Sequence, residues 1–257
     1  MHRLRERHTF RKAADPESVW RCCEHWQRTL VNKWNGREFA RKHGARLPEL
    51  YWRGRRIRKI PFESLPPRFV IRPVWGTLRR GVHVVADGRE LLRDEPAAPS
   101  ELKGRLLRER GPLRVSPILV EQFVATETGE YRLPVEYKCH TFGDTVAAVQ
   151  VIERTGPLTG THRYYTPAWE PFADLMNTAK PLAALREAPP CLREMLLLAV
   201  RLGRAVGTYM RIDFFSTDRG CVFNEFSSTP QVGNLTNTPF CDDLFGALWR
   251  EKFPDAS

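Results

Sequence analysis

The sequence predicts an α+β fold with mostly antiparallel sheet, and three observations carry that reading. Three stretches read as strand–turn–strand: Arg68 to Arg72 with Val82 to Val85, Val135 to His140 with Val146 to Glu153, and Tyr209 to Gly233 around the turn Thr217-Asp218-Arg219-Gly220. Leu192, Met195, Ala199, Leu202 and Val206 recur at helical spacing and give Cys191 to Gly207 an apolar face. No internal repeat is visible, so neither a solenoid nor a propeller is indicated.

Taken in order, residues 1 to 13 form a basic, mobile lead. Asp15-Pro16-Glu17 reads as an N-cap followed by proline at the first helical position. Val19, Trp20, Cys23, Trp26 and Leu30 extend that helix to about Leu30. A second helix covers about Asn35 to Lys42 and stops at Gly44, and Leu47 to Trp52 is extended. Pro61, Pro66 and Pro67 mark a loop before the first strand pair. Pro99 to Arg110 is helical, and Ile118 to Val124 is a buried strand. Residues 154 to 190, rich in proline and aromatics, read as irregular. Tyr164, Tyr165 and Trp169 there are expected as buried aromatics, with a sugar-stacking platform as the alternative. These pieces divide as a helical lead (1–60), a small lobe (61–124) and a large lobe (125–257).

Bulk properties narrow the class. A chain of 257 residues with 42 % apolar and 11 % aromatic residues can build a real core and is not disordered. No apolar run approaches the ~20 residues that cross a bilayer. The charged start MHRLRERHTFRK has no apolar stretch of a secretory signal, so a soluble cytoplasmic protein is expected. Six cysteines show no C-x-x-C pair and no finger spacing with histidine, so reduced thiols are expected. The net charge of +11 attracts polyanions. Its one dense cluster, Trp52 to Lys59, comes with no helix-turn-helix, zinc-finger or RNA-recognition signature, so sequence-specific nucleic-acid binding is not expected.

The most informative stretch is the last hairpin. Asp213 and Glu225 fall on its two strands, directly opposite or one diagonal step apart, and Ser227 shares the face of Glu225. Two carboxylates and a hydroxyl without soft ligands suit Mg²⁺ held together with phosphates; solvated acidic residues are the bland alternative. In Phe69 to Val85 a strand delivers Arg72, and a loop from Gly76 to Gly81 returns to a second strand. That loop lacks the Lys-Ser/Thr of a P-loop, yet its backbone N–H groups with Arg79 or Arg80 suit phosphate. Glu121 interrupts the apolar strand ILVEQFV, where a carboxylate must be hydrogen-bonded or functional. Lys138 and His140 alternate to one face of EYKCHTF; Lys138 could reach a phosphate or a substrate carboxylate.

Together, in this order, the motifs resemble the ATP-grasp family, nearest its teichuronopeptide-biosynthesis (TupA-like) branch, over about residues 30 to 235. NKWNGREFARKHGARLPELY looks like the family's opening helix, with Lys33 as the lysine that touches nucleotide phosphates. FVIRP looks like the strand that normally ends in Lys-Pro, with Arg72 in place of the lysine. GTLRRGV, with Gly76, Thr77 and Gly81, stands at the flexible phosphate loop. LVEQFV is similar to the adenine hinge: Glu121 and Gln122 at the amino-group positions, Phe123 and Val124 giving backbone and apolar contact. THRYYTPAWEPF also resembles the surface-polymer branch. YMRIDFF and VFNEFS resemble the metal hairpin, with Asp213 and Glu225 as ligands and Ser227 where many members carry asparagine.

The resemblance implies two α+β lobes clasping ATP and Mg²⁺. It implies an ATP-dependent carboxylate–amine ligase that forms an amide through an acyl phosphate, in cell-surface polymer or peptide-conjugate biosynthesis. Lys138 and Arg211 would steady the transferring phosphoryl group and the substrate carboxylate. The acceptor would be a small molecule, glycan or peptide of anionic character. Two other readings stay open: a kinase-like phosphotransferase on the same scaffold, and a non-catalytic polyanion-binding protein. The sequence leaves the oligomeric state open.

Overall fold

The structure is a computed structural model that describes residues 9–76, 80–108, 111–156, 159–177, 181–229 and 237–256. Its helices are α1 (Glu17–Trp20), α2 (Lys33–Lys42), α3 (Pro99–Arg108), α4 (Leu192–Val206) and α5 (Pro239–Lys252). One antiparallel sheet holds β1 (Leu50–Gly54), β2 (Arg68–Pro73), β3 (His83–Ala86), β4 (Arg89–Glu90), β5 (Glu95–Pro96) and β6 (Ile118–Gln122), in the order β1-β6-β2-β3-β4-β5. The other holds β7 (Glu136–Phe142), β8 (Thr145–Arg154), β9 (Gly160–Tyr165), β10 (Pro171–Phe172), β11 (Tyr209–Thr217) and β12 (Gly220–Ser227), in the order β10-β9-β8-β7-β11-β12. The mixed class and the antiparallel pairing agree with the sequence reading.

Alternation along the second sheet sets its two faces. Tyr137, Cys139, Ile212, Phe214 and Phe223 point into the larger core, where α4 lays Met195, Ala199, Leu202 and Val206 against them. Lys138, His140, Arg211 and Asp213 point to the opposite face. The first sheet has its own core, with Ile71, Val120 and Ile118 under Leu102 and Leu106 of α3. The α2 helix joins the two halves. Its Phe39 and Ala40 sit in the larger core, Phe39 meeting Phe226 of β12 at 6.0 Å, while Arg37 reaches Glu121 of β6 and Lys33 reaches Gly76 O just beyond β2.

The N-terminal region departs from the periodicity. The expected helix to Leu30 ends at Trp20, and a 3₁₀ turn covers Trp26–Val31. Trp20, Trp26 and Leu30 all bury against the core around Phe39, and packing three large side chains into one site overrides the helical spacing. Asp15 does not cap α1: its carboxylate accepts from Lys12 N at 2.7 Å, and Pro16 holds the cap position. The lead is anchored from Thr9 onward, since Asn35 accepts from Arg11 N and donates to Thr9 O, both at 2.9 Å. Asn32 caps α2 through Trp34 N and Asn35 N, which starts that helix two residues early.

Three further elements escaped the sequence. β9 and β10 lie in the stretch read as irregular, and α5 went unrecognised although Thr238-Pro239 is a cap followed by proline at the first helical position. Among the described residues no helix is long and apolar enough to cross a membrane.

Gly203 of α4 sits against the β7–β8 turn, where an added Cβ would run into the Gly143 carbonyl and approach Thr141 at 3.1 Å. Gly203→Ala is therefore expected to destabilise by about 1–3 kcal/mol, despite alanine's better helix propensity. Urea unfolding measures this directly, and a stabilised variant would contradict the close packing.

Candidate functional site

The site is built on the register of the last hairpin. Counting back from the turn, Thr217 pairs with Gly220 and Phe214 with Phe223, which would put Asp213 opposite Asn224. A β-bulge between Asp213 and Phe214 slips the pairing by one, so Asp213 faces Glu225 and Arg211 faces Ser227. Asn224 is the residue left over. It and Glu225 both leave the core face, between the buried Phe223 and Phe226. On the other side of β11, Asp213 pairs with Lys138 and Arg211 with His140. One row thus crosses the sheet as Glu225, Asp213, Lys138, Gln150 and Tyr164.

Asp213 is wholly buried and makes three contacts: Arg211 Nε reaches Oδ1 at 2.7 Å, Arg211 NH2 reaches Oδ2 at 2.9 Å, and Lys138 Nζ reaches Oδ2 at 2.5 Å. Lys138 also meets Glu136 Oε2 at 2.9 Å, and Arg154 closes on Glu136 at 3.2 Å. Glu225 pairs with Lys33 Nζ at 3.3 Å, and the same amine donates to Gly76 O at 3.1 Å. Arg72 reaches Glu121 Oε2 at 2.5 Å and donates to Asn224 Oδ1 at 2.9 Å. Arg37 of α2 donates to the other Glu121 oxygen at 2.7 Å. Residues of α2 and of both sheets therefore converge on one polar region.

Burial and charge tune this region. Burial pushes the Glu225 carboxyl up, but Lys33, Lys138, Arg211 and Arg72 outweigh it and hold it at about 2. Burial lowers Lys138 to about 8 against the opposing pull of Asp213. Burial also opposes the Arg211 charge, yet Asp213 raises it above its usual range. His140 is lowered to about 3 by burial, Arg211 and Lys138, so it is a neutral ring at physiological pH; its Nδ1 meets Tyr209 OH at 2.9 Å.

Of the residues singled out in the sequence, Lys33, Arg72, Gly76, Glu121, Lys138, Arg211, Asp213 and Glu225 are linked by these contacts. Ser227 is half-buried opposite Arg211. Gln122 is half-buried and accepts from Glu49 N at 3.3 Å; Phe123 and Val124 follow it as buried residues. Gly81 adopts a left-handed φ of 74° against Leu113, and Thr77 lies outside the described residues, as does Arg79. Arg37, Glu136, Arg154 and Asn224 were missed. Alternation with Lys138 places Glu136 on the same face, and Arg37 follows Lys33 by one helical turn, so those two were findable. Asn224 owes its place to the bulge.

The residues fit a magnesium ion. Among the described residues no three His, Cys, Asp or Glu side chains form a cage that could hold a metal. Asp213 uses three of the roughly four acceptor positions of a carboxylate, leaving one on Oδ1. Glu225 is partly exposed beside it, with Ser227 two residues on.

The model of the TupA-like ATPgrasp family matches residues 24–249. No curated protein matches the chain. Among solved structures, D-alanine–D-alanine ligase from Bacillus anthracis complexed with ATP is similar at 14 % identity and TM-score 0.53, covering 87 % of this chain and 64 % of that one. A second crystal structure of the Bacillus anthracis ligase gives 16 % identity and TM-score 0.51, covering 88 % of this chain and 66 % of that one. ATP-grasp ligase PsnB complexed with a minimal precursor reaches 14 % identity and TM-score 0.48, covering 86 % of this chain and 62 % of that one. The chain thus spans less than two thirds of the length of each. The two ligase structures share its fold, and with the family match extending through both sheets, the chain belongs to the TupA-like ATP-grasp family.

Proposed function

We propose that this protein is an ATP-dependent carboxylate–amine ligase acting in cell-surface polymer or peptide-conjugate biosynthesis. One observation carries the reading: Lys33, Arg37, Arg72, Lys138, Arg154 and Arg211 converge where, among the described residues, Glu121, Glu136, Asp213 and Glu225 answer them. A buried excess of cations is costly unless an anion joins it, and a triphosphate is such an anion. ATP would lie between residues 61–124 and 125–257, its adenine on the hinge from Glu121 to Val124 and its phosphates under the loop of Gly76, Thr77 and Gly81. Lys33 and Arg72 would neutralise the α and β phosphates.

Asp213, Glu225 and Ser227 would hold Mg²⁺, which when bound offsets phosphate charge. Lys138 and Arg211 orient the substrate carboxylate and the γ-phosphoryl group. A carboxylate oxygen attacks the γ-phosphorus as the bond to ADP breaks. An amine then attacks the acyl carbon, phosphate departs with the C–O bond, and the amine loses a proton, leaving the amide. Positioning and charge suffice for this, and the reaction needs no protein nucleophile. The basic surface suits an anionic acceptor.

MgATP at a hundredfold excess over its dissociation constant is expected to stabilise the protein by about 2.7 kcal/mol relative to Mg²⁺ alone. Amide should form in step with ADP. ADP release with a phosphorylated hydroxyl and no amide would instead identify a phosphotransferase. No MgATP effect at all would overturn the nucleotide reading.

A further inference from the structure

We propose that Arg37 is a positioning residue for nucleotide binding: by engaging Glu121, it leaves Arg72 free to direct its charge at phosphate. The inference rests on the nucleotide reading of the site and names a residue that the family resemblance did not supply.

Four side chains make a relay from α2 to β12: Arg37, Glu121, Arg72 and Asn224. The first three are buried, at 4 %, 2 % and 7 % exposure. Arg37 is held from two sides, NH1 on Glu121 Oε1 at 2.7 Å and NH2 on Pro48 O at 2.5 Å. The contact between Arg72 Nε and Glu121 Oε2 is different in kind. It is short, at 2.5 Å, but not aligned as a hydrogen bond, so it is an electrostatic contact only. The aligned bond of Arg72 is the one from NH1 to Asn224 on the second sheet.

Two guanidiniums thus share one carboxylate. Burial lowers the Arg37 pKa, Glu121 opposes that, and Arg72 adds to the lowering, as expected for two cations with one counter-ion. A phosphate beside Arg72 would relieve the imbalance. Were Arg37 absent, Arg72 would become the sole cationic partner of Glu121 among the described residues. Glu121 would then form the paired, forked contact that arginine favours with carboxylate and turn Arg72 away from phosphate.

The test is nucleotide affinity by isothermal titration calorimetry with Mg²⁺, folding being checked by circular dichroism. Arg37→Met is expected to weaken ATP and ADP at least tenfold and to leave adenosine within twofold. In an Arg72→Met background the same change should add nothing to the loss already present. Adding Glu121→Gln to Arg37→Met removes the competing carboxylate and should bring the ratio of ATP to adenosine affinity most of the way back to wild type, any loss at the adenine hinge falling on both ligands alike. Should Arg37→Met not fold, the Arg37→Met/Glu121→Gln pair carries the test, since it leaves no unmatched carboxylate.

Equal losses for adenosine and ATP would mean a purely structural role and would overturn the inference. So would an undiminished ATP affinity, a full further loss in the Arg72→Met background, or no recovery in the pair. Failure of the wild type to bind MgATP would overturn the nucleotide reading itself, and is seen before any variant is compared.

Discussion

Asp213→Asn is expected to lower MgATP-dependent turnover at least about a thousandfold, equivalent to roughly 4 kcal/mol of barrier. Asparagine matches aspartate in shape, so packing is preserved and only charge is lost. That loss strikes twice. The proposed magnesium site keeps a single carboxylate, Glu225, and two buried cations, Lys138 and Arg211, lose their shared partner. Breaking a buried ion pair from one side costs about 3–5 kcal/mol, so the melting midpoint should fall as well. The two effects separate in Asp213→Asn/Lys138→Met, where one unmatched cation is gone. Stability should return in part while turnover stays lost. A single variant with turnover near wild type would remove Asp213 from the chemistry.

Mild acid is expected to unfold the protein. His83 and His140 are buried, and each is lowered from 6.5 to about 3: His83 by burial, Arg93 and Arg105, and His140 by burial, Arg211 and Lys138. Arginine can only donate, so the Arg93 NH1 contact with His83 Nδ1 at 3.2 Å requires a neutral acceptor ring. The sign follows from proton counting. Below pH 6.5 the unfolded chain binds protons on both rings and the folded chain does not, so stability falls as pH falls, down to about 3. Each histidine contributes about 1.4 kcal/mol per pH unit within that window. Between pH 6 and 4 the pair removes roughly 5 kcal/mol, comparable to the whole stability of many domains. Urea midpoints at stepped pH test this. A flat profile from 6.5 to 4 would show that the rings can be charged in place. The variant His83→Gln/His140→Gln should have the shallower slope.

The sequence made the main features of the fold legible where local signals were strong. The hairpin holding Asp213 and Glu225, the amphipathic α4 and the strand pair β2–β3 all appear where they were expected, the last strand ending at Ser227. The failures have physical causes. The run from Val19 to Leu30 has a helix's apolar spacing, but burying Trp20 and Trp26 in the same core breaks it. β9 escaped because its strand is followed closely by the proline-rich and aromatic residues that suggest a loop. Within the site, alternation put Lys138 and His140 on one face, but their pairing with Asp213 and Arg211 comes from the tertiary pairing of β7 with β11. The one-residue bulge was not legible, because a register slip leaves no mark in composition or period; yet it decides that Glu225, not Asn224, stands across from Asp213. The two-cation engagement of Glu121 was equally hidden, since Arg37 and Glu121 come together only through the tertiary fold.

The placement of α2 bears on how the chain is made. Phe39 and Ala40, with Trp20, Trp26 and Leu30 just before them, complete a core whose remaining walls are strands β7, β8, β11 and β12 and helix α4. During synthesis those early tryptophans and Phe39 leave the ribosome long before residues 209 to 227 do. The first sheet can assemble meanwhile, but these apolar side chains must wait for the last hairpin, a long-range closure that slows folding and leaves sticky surface on the nascent chain. A polypeptide halted before β11 is therefore expected to be a client for chaperones, whereas one released after β12 can bury its own beginning.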